Sequence, residues 1–277
     1  MTKVFVIYHA ECLDGFGAAY AAWKKYPDAE FYAAKYGQEP PIELLRDAEV
    51  YILDFSYPLG AMRAIIAEAA KVTVLDHHKT ARDALAVLLE AKECHGEFDM
   101  NRSGSVMAWQ WFFGDPVPEM LLHIQDRDLW RFNMKDTKEI AAALYSRKME
   151  MHEWEWLSDN LSNLAEEGTA ILRSEKKKVE MLVNSGLHFA DIGGHYVPVV
   201  NAPFFMASDI CHELLRRMPD AGFVATYSRT GDDIVYSLRS TDDRVDVSEI
   251  AKKYDGGGHR NAAGFKYPAA GKVSFDA

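Results

Sequence analysis

Short apolar runs alternate with helix-patterned segments through the first third of the chain. The runs lie at residues 4–8, 30–33, 50–53 and 72–75. Apolar side chains recur at helical spacing between residues 16 and 23, and again between residues 59 and 69. Strand-length runs separated by amphipathic helices predict an α/β fold, here a doubly wound and mainly parallel sheet with helices on both faces.

The middle of the chain has a helical pattern without strands. Residues 137–186 read as helices throughout, and the charged segment 174–180, SEKKKVE, fits a solvated helical connector. Beyond it, we predict one helix at 207–217 among strands at 196–200, 223–228 and 234–239. This second pattern indicates a smaller C-terminal α/β domain.

The length of 277 residues, 48% of them hydrophobic, is close to the size at which one core gives way to two. We therefore predict an N-terminal domain at residues 1–150, a helical connector at 151–190 and a C-terminal domain at 191–277.

The charge balance limits the choice of partner. Lys and Arg together number 31 against 42 Asp and Glu, which gives a net charge of -11. A surface of this sign repels phosphate backbones, so we expect no binding of long duplex DNA. A local phosphate site remains compatible with the composition if divalent cations are held among the acidic residues.

The three cysteines, Cys12, Cys94 and Cys211, are far apart and include no C-x-x-C pair. This spacing argues against a disulfide framework and against a cysteine-rich zinc site. The apolar run at the N-terminus is too short for a signal peptide or a membrane span. We expect a soluble cytoplasmic protein that does not contact membranes.

Candidate chemistry follows the predicted strands. His9 and Asp14 come after the first run, Asp54 follows another, and Asp76 with His77 ends a third. Ligands of open α/β sheets collect beyond the carboxyl ends of the strands, so we expect these side chains to converge. An aspartate in such a place is often only a helix cap, and an isolated histidine is often structural.

A cluster of this kind needs positive charge. Two carboxylates about 4 Å apart repel by roughly 4 kcal/mol at an effective dielectric near 20. Carboxylates mixed with imidazoles suit Mn²⁺, Mg²⁺ or Fe²⁺, and their number suggests two ions with a shared ligand. Such a centre predicts hydrolysis of a phosphoester or phosphoanhydride.

Several motifs together resemble the DHH phosphoesterase superfamily. They are HAECLDGFGAA near the N-terminus, Asp54 after Leu53, the tripeptide Asp76-His77-His78, DRDLW at 126–130 and GGGHRNAAGF at 256–265, in the order that the family has. The resemblance covers nearly the whole chain. It implies an N-terminal DHH domain that binds two divalent ions and a C-terminal DHH-associated domain that binds substrate.

The resemblance also implies roles for individual residues. The family's metal ligands match His9, Asp14, Asp54, Asp76 and one aspartate of DRD, with Asp126 favoured over Asp128. His77 would be a ligand or would orient the attacking water, and His78 would contact phosphate or protonate the leaving oxygen. Asp76, His77 and His78 are thus the expected catalytic residues. The expected cofactor is Mn²⁺, two per chain, with Mg²⁺, Fe²⁺ or Co²⁺ as alternatives.

One position departs from the family pattern. Many members have two aspartates separated by one residue in the first motif, whereas this chain has Cys12 and Asp14. A thiol is a poor ligand for Mn²⁺, so one ion would bind more weakly unless Glu11 or a water substitutes. Alternatively, Cys12 is only a small buried residue.

Substrate-binding residues are expected in the C-terminal domain and at one helix start. Backbone N–H groups of Gly256, Gly257 and Gly258 can approach an anion, with His259 beside them. Arg239 is a second candidate for phosphate binding, although a surface role fits it equally. Ser103 opens a helix whose N-terminus favours phosphate, or simply caps it.

The resulting hypothesis is a metal-dependent phosphodiesterase that cleaves short oligonucleotides or linear dinucleotides to mononucleotides. Polyphosphate or another phosphoanhydride is the alternative substrate, and a cyclic dinucleotide is a third. An idle nucleotide-binding module is the non-enzymatic alternative. The sequence leaves a homodimer open.

Overall fold

The computed structural model describes residues 3–268. The chain forms two compact units, the first at Met1–Leu172 and the second at Arg173–Ala277. The helix Leu161–Gly186 contains the point of division, within the segment 151–190 that the sequence marks as a connector.

The first unit begins with alternating strands and helices. These are β1 (Val4–His9), α1 (Leu13–Lys25), β2 (Glu30–Ala34), β3 (Glu49–Leu53), α2 (Leu59–Glu68), β4 (Lys71–Asp76), α3 (Lys79–Glu90) and β5 (His95–Phe98). Helices follow: α4 (Gly104–Phe113), α5 (Glu119–Asp128), α6 (Thr137–Tyr145), α7 (Met151–Ser158) and α8 (Leu161–Gly186). Neither α3 nor β5 was predicted.

The strands of the first unit form a parallel sheet in the order β2-β1-β3-β4-β5. Tyr8 of β1 lies opposite Leu53 of β3, and Leu53 lies opposite Leu75 of β4. The connections run in opposite directions on either side of the β1–β3 pair, which makes this pair the switch point of a doubly wound sheet. The predicted fold class is confirmed.

Burial explains why these strands are almost uniformly apolar. Val6 and Ile7 of β1 are adjacent in sequence and point to opposite faces, yet both are completely buried. They belong to different apolar clusters, one on each side of the sheet. A third cluster joins α1, α5, α6 and α7 around Trp154, whose ring centroid is 4.7 Å from that of Phe16. Polar side chains are thereby left at the strand ends.

The second unit has a sheet of mixed direction. Its elements are β6 (His188–Ile192), β7 (His195–Asn201), α9 (Ala207–Arg217), β8 (Val224–Thr230), β9 (Asp233–Arg239), α10 (Val247–Lys252), β10 (Gly257–Gly258) and β11 (Ala262–Pro268). The order is β10-β11-β9-β8-β7-β6, with β7 and β8 parallel and the other pairs antiparallel. The predicted strands match β7, β8 and β9, and the predicted helix matches α9.

Among the helices of residues 3–268, none combines the length and the apolar character needed to cross a bilayer.

Candidate metal centre

The strand ends of the first unit bring the expected polar residues together. His9 ends β1, Asp54 follows β3, and Asp76 ends β4, so they lie at the same edge of neighbouring strands. Asp54 has a φ of 53°, in the left-handed region that side-chain-bearing residues rarely adopt, while its N–H donates to Leu75 O at 2.9 Å. Backbone of this kind persists where its surroundings hold it, commonly at functional sites.

His77 contacts three carboxylates from different elements. Its Nε2 lies 3.0 Å from Oδ1 of Asp54, 3.6 Å from Oδ2 of Asp14 and 3.6 Å from Oδ2 of Asp128. His77, Asp14 and Asp54 are almost completely buried. One imidazole therefore stands among carboxylates from α1, α5 and the end of β3.

Asp14 is held by the start of α4. Its Oδ2 accepts the N–H of Gly104 at 2.6 Å, and its Oδ1 accepts the N–H of Ser105 at 3.0 Å. Gly104 has a second function, because a Cβ at this position would overlap the Cβ of Asp54. The glycine allows the helix start to approach the carboxylates closely.

The same geometry corrects the expected role of Ser103. This residue is completely buried, its N–H donates to Oε1 of Gln125 at 3.1 Å, and its Oγ lies 3.0 Å from Oγ of Ser105. The first N–H groups of α4 serve Asp14 instead of a bound phosphate. Ser103 is thus enclosed at the helix start and is not exposed to substrate.

The choice of Asp126 over Asp128 is also corrected. Both residues lie in the last turn of α5. Residues two positions apart in an α-helix are separated by roughly 200° around its axis, so the two side chains point in nearly opposite directions. The carboxylate of Asp126 accepts the N–H groups of Asn133 and Met134 and the hydroxyl of Thr137. Asp128 faces His77, so Asp128 is the aspartate of this segment at the centre.

Asp76 orders the segment that follows β4. Its Oδ1 accepts the N–H groups of His77 and His78, at 2.7 and 3.1 Å, and lies 2.6 Å from Nδ1 of His78. Its Oδ2 accepts the hydroxyl of Ser56 at 2.6 Å. Ser56 is not among the residues expected at the site, because its only sequence signal is a small polar side chain two positions after the strand-end Asp54.

The carboxylates differ in the direction in which their surroundings shift the pKa. Burial raises the pKa of Asp54, but hydrogen bonds from His77 and His9 outweigh it and hold the pKa far below the usual range. Burial, then Asp54 and then Asp128, raise the pKa of Asp14 from 3.8 to about 8. Burial also raises the pKa of Asp128. The ionised forms of Asp14 and Asp128 therefore need more positive charge than His77 gives them.

Burial and His78 shift the pKa of Asp76 in opposite directions. Burial raises its pKa, but the charge of His78 and its hydrogen bond, together with His77 and Ser56, lower the pKa to about 2. Burial lowers the pKa of His78. The charge of Asp76 and its hydrogen bond outweigh this effect, so the pKa of His78 is raised above its ordinary value of 6.5. Asp76 thus favours the protonated form of His78.

Within the described residues of the first unit, three groups of donor atoms meet the distance requirement for cation binding. They are His9–Cys12–Asp54, Asp14–His77–Asp128 and Asp54–Asp76–His78, each with ligand atoms within 4.8 Å of one another. Asp54 belongs to two groups and contacts His77 of the third. Nitrogen and carboxylate oxygen donors of this kind fit divalent ions.

The expected substitute Glu11 lies elsewhere. Its Oε1 is 2.5 Å from Nζ of Lys35, and the side chain is exposed. Cys12, in contrast, is one of the grouped donors.

In the second unit, close packing accounts for much of the glycine run. The N–H of Gly256 donates to Ala251 O at 3.0 Å and is therefore not available to an anion. A Cβ at Gly256 would overlap Gly264 O, and Gly258 has a φ of 137°. His259 lies in the turn after β10, where its N–H donates to Ala262 O at 2.7 Å.

Arg239 lies on the strand next to this turn. It is opposite Ala262 in the pairing of β9 with β11, and its Nη2 donates to Oγ of Ser208 at 2.9 Å. Arg239 and the 259–262 turn are thus neighbours within the second unit, while Gly257 pairs with Gly264 in the β10–β11 ladder.

A family model and two relatives match this chain. A DHHA1 domain model matches residues 206–274. The chain is 33% identical over 285 residues to uncharacterized protein R106 of Acanthamoeba polyphaga mimivirus, covering 95% of this chain and 67% of that protein. It is 26% identical over 221 residues to oligoribonuclease NrnB of Bacillus subtilis (strain 168), covering 70% of this chain and 52% of the relative. The chain thus spans about two thirds of one relative and about half of the other.

Two solved structures share the fold at low identity. The DHH domain of a member of the s1p family of ribosomal proteins has a TM-score of 0.63 at 15% identity, covering 95% of this chain and 82% of that one. RecJ of Thermus thermophilus, solved in complex with Mn²⁺, has a TM-score of 0.50 at 13% identity, covering 95% of this chain and 49% of that one.

Proposed function

The chain belongs to the DHH phosphoesterase superfamily, and on that premise we propose that it hydrolyses short oligonucleotides to mononucleotides. One observation carries the proposal: carboxylates from β3, β4, α1 and α5 converge with imidazoles at the carboxyl edge of the parallel sheet. Asp14, Asp54 and Asp76 are almost completely buried, and carboxylates that repel one another in such a place have a physical reason to be there if they hold cations.

The donor set fits two divalent ions. His9, Asp14, Asp54, Asp76 and Asp128 would hold them, with Asp54 shared between the two positions. Mn²⁺ is the proposed ion, because carboxylate donors suit it and because RecJ, of the same fold, was crystallised with it. Bound ions of this kind neutralise phosphate charge and lower the pKa of the water that attacks phosphorus.

His78 is the proposed general acid. Asp76 bonds to its Nδ1 at 2.6 Å, which fixes the ring and favours its protonated form. With Nδ1 occupied in this way, Nε2 is the nitrogen that gives a proton to the leaving oxygen. A carboxylate that orients an imidazole for proton transfer is a recurrent catalytic arrangement.

His77 is proposed to position the carboxylates rather than to contact substrate. It is 2% exposed, and its Nε2 is 3.0 Å from Asp54 Oδ1. That bond fixes the orientation in which Asp54 offers its other oxygen towards His9, whose Nδ1 is 3.6 Å from Asp54 Oδ2. A residue that orients a ligand tunes metal affinity without touching the substrate.

Short oligonucleotides are favoured as substrate for two reasons. NrnB, which is 26% identical to this chain, is an oligoribonuclease. The net charge of -11 disfavours tracking along a long polyanion. Within the second unit, Arg239 and His259 are the proposed contacts to substrate phosphate, with Gly257 and Gly258 lining the same turn.

The test is a substrate panel in the presence of Mn²⁺. Labelled di- to pentanucleotides, longer oligomers, cyclic dinucleotides, pyrophosphate and polyphosphate are offered to the wild type, to Asp76→Ala and to Asp83→Asn. Asp83 is an exposed residue of α3 that pairs with Arg82, so its variant is the matched control. We expect the wild type and the control to cleave di- to pentanucleotides fastest and Asp76→Ala to be inactive. Turnover of polyphosphate alone would replace the proposed substrate, and equal activity of Asp76→Ala would remove Asp76 from the mechanism.

A further inference from the structure

We propose that Cys12 is a thiolate ligand that makes the His9–Cys12–Asp54 group selective for Zn²⁺ over Mn²⁺, so that the centre holds two different metals. This inference rests on the proposed metal centre and concerns the one motif position where the chain departs from its family. It assigns a function to the thiol itself rather than to the shared fold.

The position of the thiol supports ligation. Sγ of Cys12 and a donor atom each of His9 and Asp54 lie within 4.8 Å of one another. Cys12 directly precedes α1 in an extended conformation, and the N–H of Gly15 in the first turn of that helix interacts with its thiol. The thiol is nevertheless within reach of the donor atoms of His9 and Asp54.

Exposure separates Cys12 from the other cysteines. Cys94 and Cys211 are 5% and 0% exposed and belong to apolar clusters, as small buried cysteines do. Cys12 is partly exposed and lies among carboxylates and an imidazole. Packing in an apolar core accounts for Cys94 and Cys211 but not for Cys12.

The donor chemistry decides which metal fits. A thiolate, an imidazole and a carboxylate are the ligand types that Zn²⁺ accepts, and three protein ligands leave one tetrahedral position for water. Mn²⁺ prefers oxygen donors, and the neighbouring groups Asp14–His77–Asp128 and Asp54–Asp76–His78 supply two carboxylates each. The centre thus offers one position that includes the soft sulfur donor of Cys12, and beside it a position whose donors are mainly carboxylate oxygens.

Binding at the soft position displaces one proton. The thiol gives its S–H proton to solvent as the metal–sulfur bond forms, and the oxidation states of sulfur and metal do not change. Each zinc ion bound at this position therefore releases the thiol proton of Cys12.

The test measures metal preference directly. Metal-free wild type, Cys12→Asp, Cys12→Ser and the control Cys94→Ala are dialysed against buffers that hold free Mn²⁺ in large excess over free Zn²⁺, because a given site usually binds Zn²⁺ more tightly than Mn²⁺. The bound ions are then counted by mass spectrometry. We expect about one zinc and one manganese ion per chain for the wild type and for the control. Cys12→Asp should lower the zinc-to-manganese ratio at that position by at least about tenfold, since even lost outer contacts to a ligand cost this much.

A second measurement does not depend on a variant. In the wild type, Co²⁺ should give a sulfur-to-metal charge-transfer absorption that is missing for Cys12→Ser. Zn²⁺ should slow alkylation of Cys12 by at least about tenfold, whereas Mn²⁺ should leave the rate within about twofold. Peptide mass spectrometry separates Cys12 from the other cysteines.

The outcomes separate this inference from the proposed function. Two manganese ions in the wild type, with no sulfur charge transfer and no protection from alkylation, would overturn the zinc position and leave the phosphodiesterase proposal intact. A wild type that binds no divalent ion would overturn both. Zinc bound with unchanged alkylation would place it elsewhere and also overturn the inference.

Discussion

Oδ1 of Asp54 lies 3.0 Å from Nε2 of His77, and both side chains are almost completely buried. The contact joins the residue after β3 to the segment after β4. Asp54 has a φ of 53°, in the left-handed region. The centre is therefore held by a few short contacts between strand ends, and several consequences can be measured.

Asp126 and Asp128 should give opposite results. Asp126→Asn removes a carboxylate that accepts three hydrogen bonds, so it should lower the free energy of unfolding by about 1–3 kcal/mol while metal content is unchanged. Asp128→Asn should lower metal content and activity with little effect on the metal-free protein. Denaturant unfolding and metal counting on both variants test this pair, and metal loss in Asp126→Asn alone would reverse the assignment.

Gly104→Ala should disrupt the centre by steric overlap. The added methyl group would overlap Cβ of Asp54 and displace either this side chain or the start of α4. We expect reduced metal binding and a loss of stability. The control is Gly60→Ala in α2, where a Cβ meets nothing within 4 Å and the change should stabilise by roughly 0.4–1 kcal/mol. Normal metal affinity in Gly104→Ala would show that the close approach is not required.

Replacement of His78 should be sensitive to the leaving group. His78→Gln should slow cleavage of a dinucleotide by about 10²–10⁴-fold, the usual contribution of a general acid, with metal content maintained. With a p-nitrophenyl phosphodiester, whose leaving oxygen needs no proton, the loss should be much smaller. Equal losses on both substrates would assign His78 to binding instead of proton transfer.

The metal-free protein should lose stability as the pH rises from about 5 to 8. The folded pKa of Asp14 is about 8 against 3.8 for the ordinary carboxyl, so the folded state binds more protons in this range. The raised pKa of His77 acts in the same direction above its unfolded value near 6.5. Asp54 and Asp76, with lowered pKa values, remain ionised throughout and contribute no slope.

Unfolding at several pH values with and without Mn²⁺ measures this slope. Saturating metal should abolish it, because the cations stabilise the ionised carboxylates. A stability that rises with pH in the metal-free protein would contradict the predicted coupling of Asp14 to its neighbours.

Much of the architecture is predictable because burial on both faces leaves a strong pattern. The apolar strands β1, β3 and β4, and the polar residues at their ends, are read directly from the sequence. Strand β11 is not, because its sequence AAGFKYP has small residues and a glycine where a strand signal needs β-branched side chains. Strand β6 is largely exposed and includes His188 and Asp191, which hides its pattern.

The details of the centre depend on contacts between distant segments. The choice between Asp126 and Asp128 depends on where α5 ends, which a sequence pattern locates only to within a few residues. The role of Ser103 depends on Asp14, 89 positions earlier, taking the N–H groups of the next two residues. A short motif cannot reveal which of two partners satisfies a helix terminus.

The hydrogen bonds from α4 to Asp14 connect the chemistry of the centre to the opening of a helix. Local unfolding at Gly104 and Ser105 would strip both donors from the carboxylate at once. Occupancy of the centre should consequently suppress fraying at that end of α4, so deuterium exchange at these two amides offers a gauge of metal loading that needs no substrate.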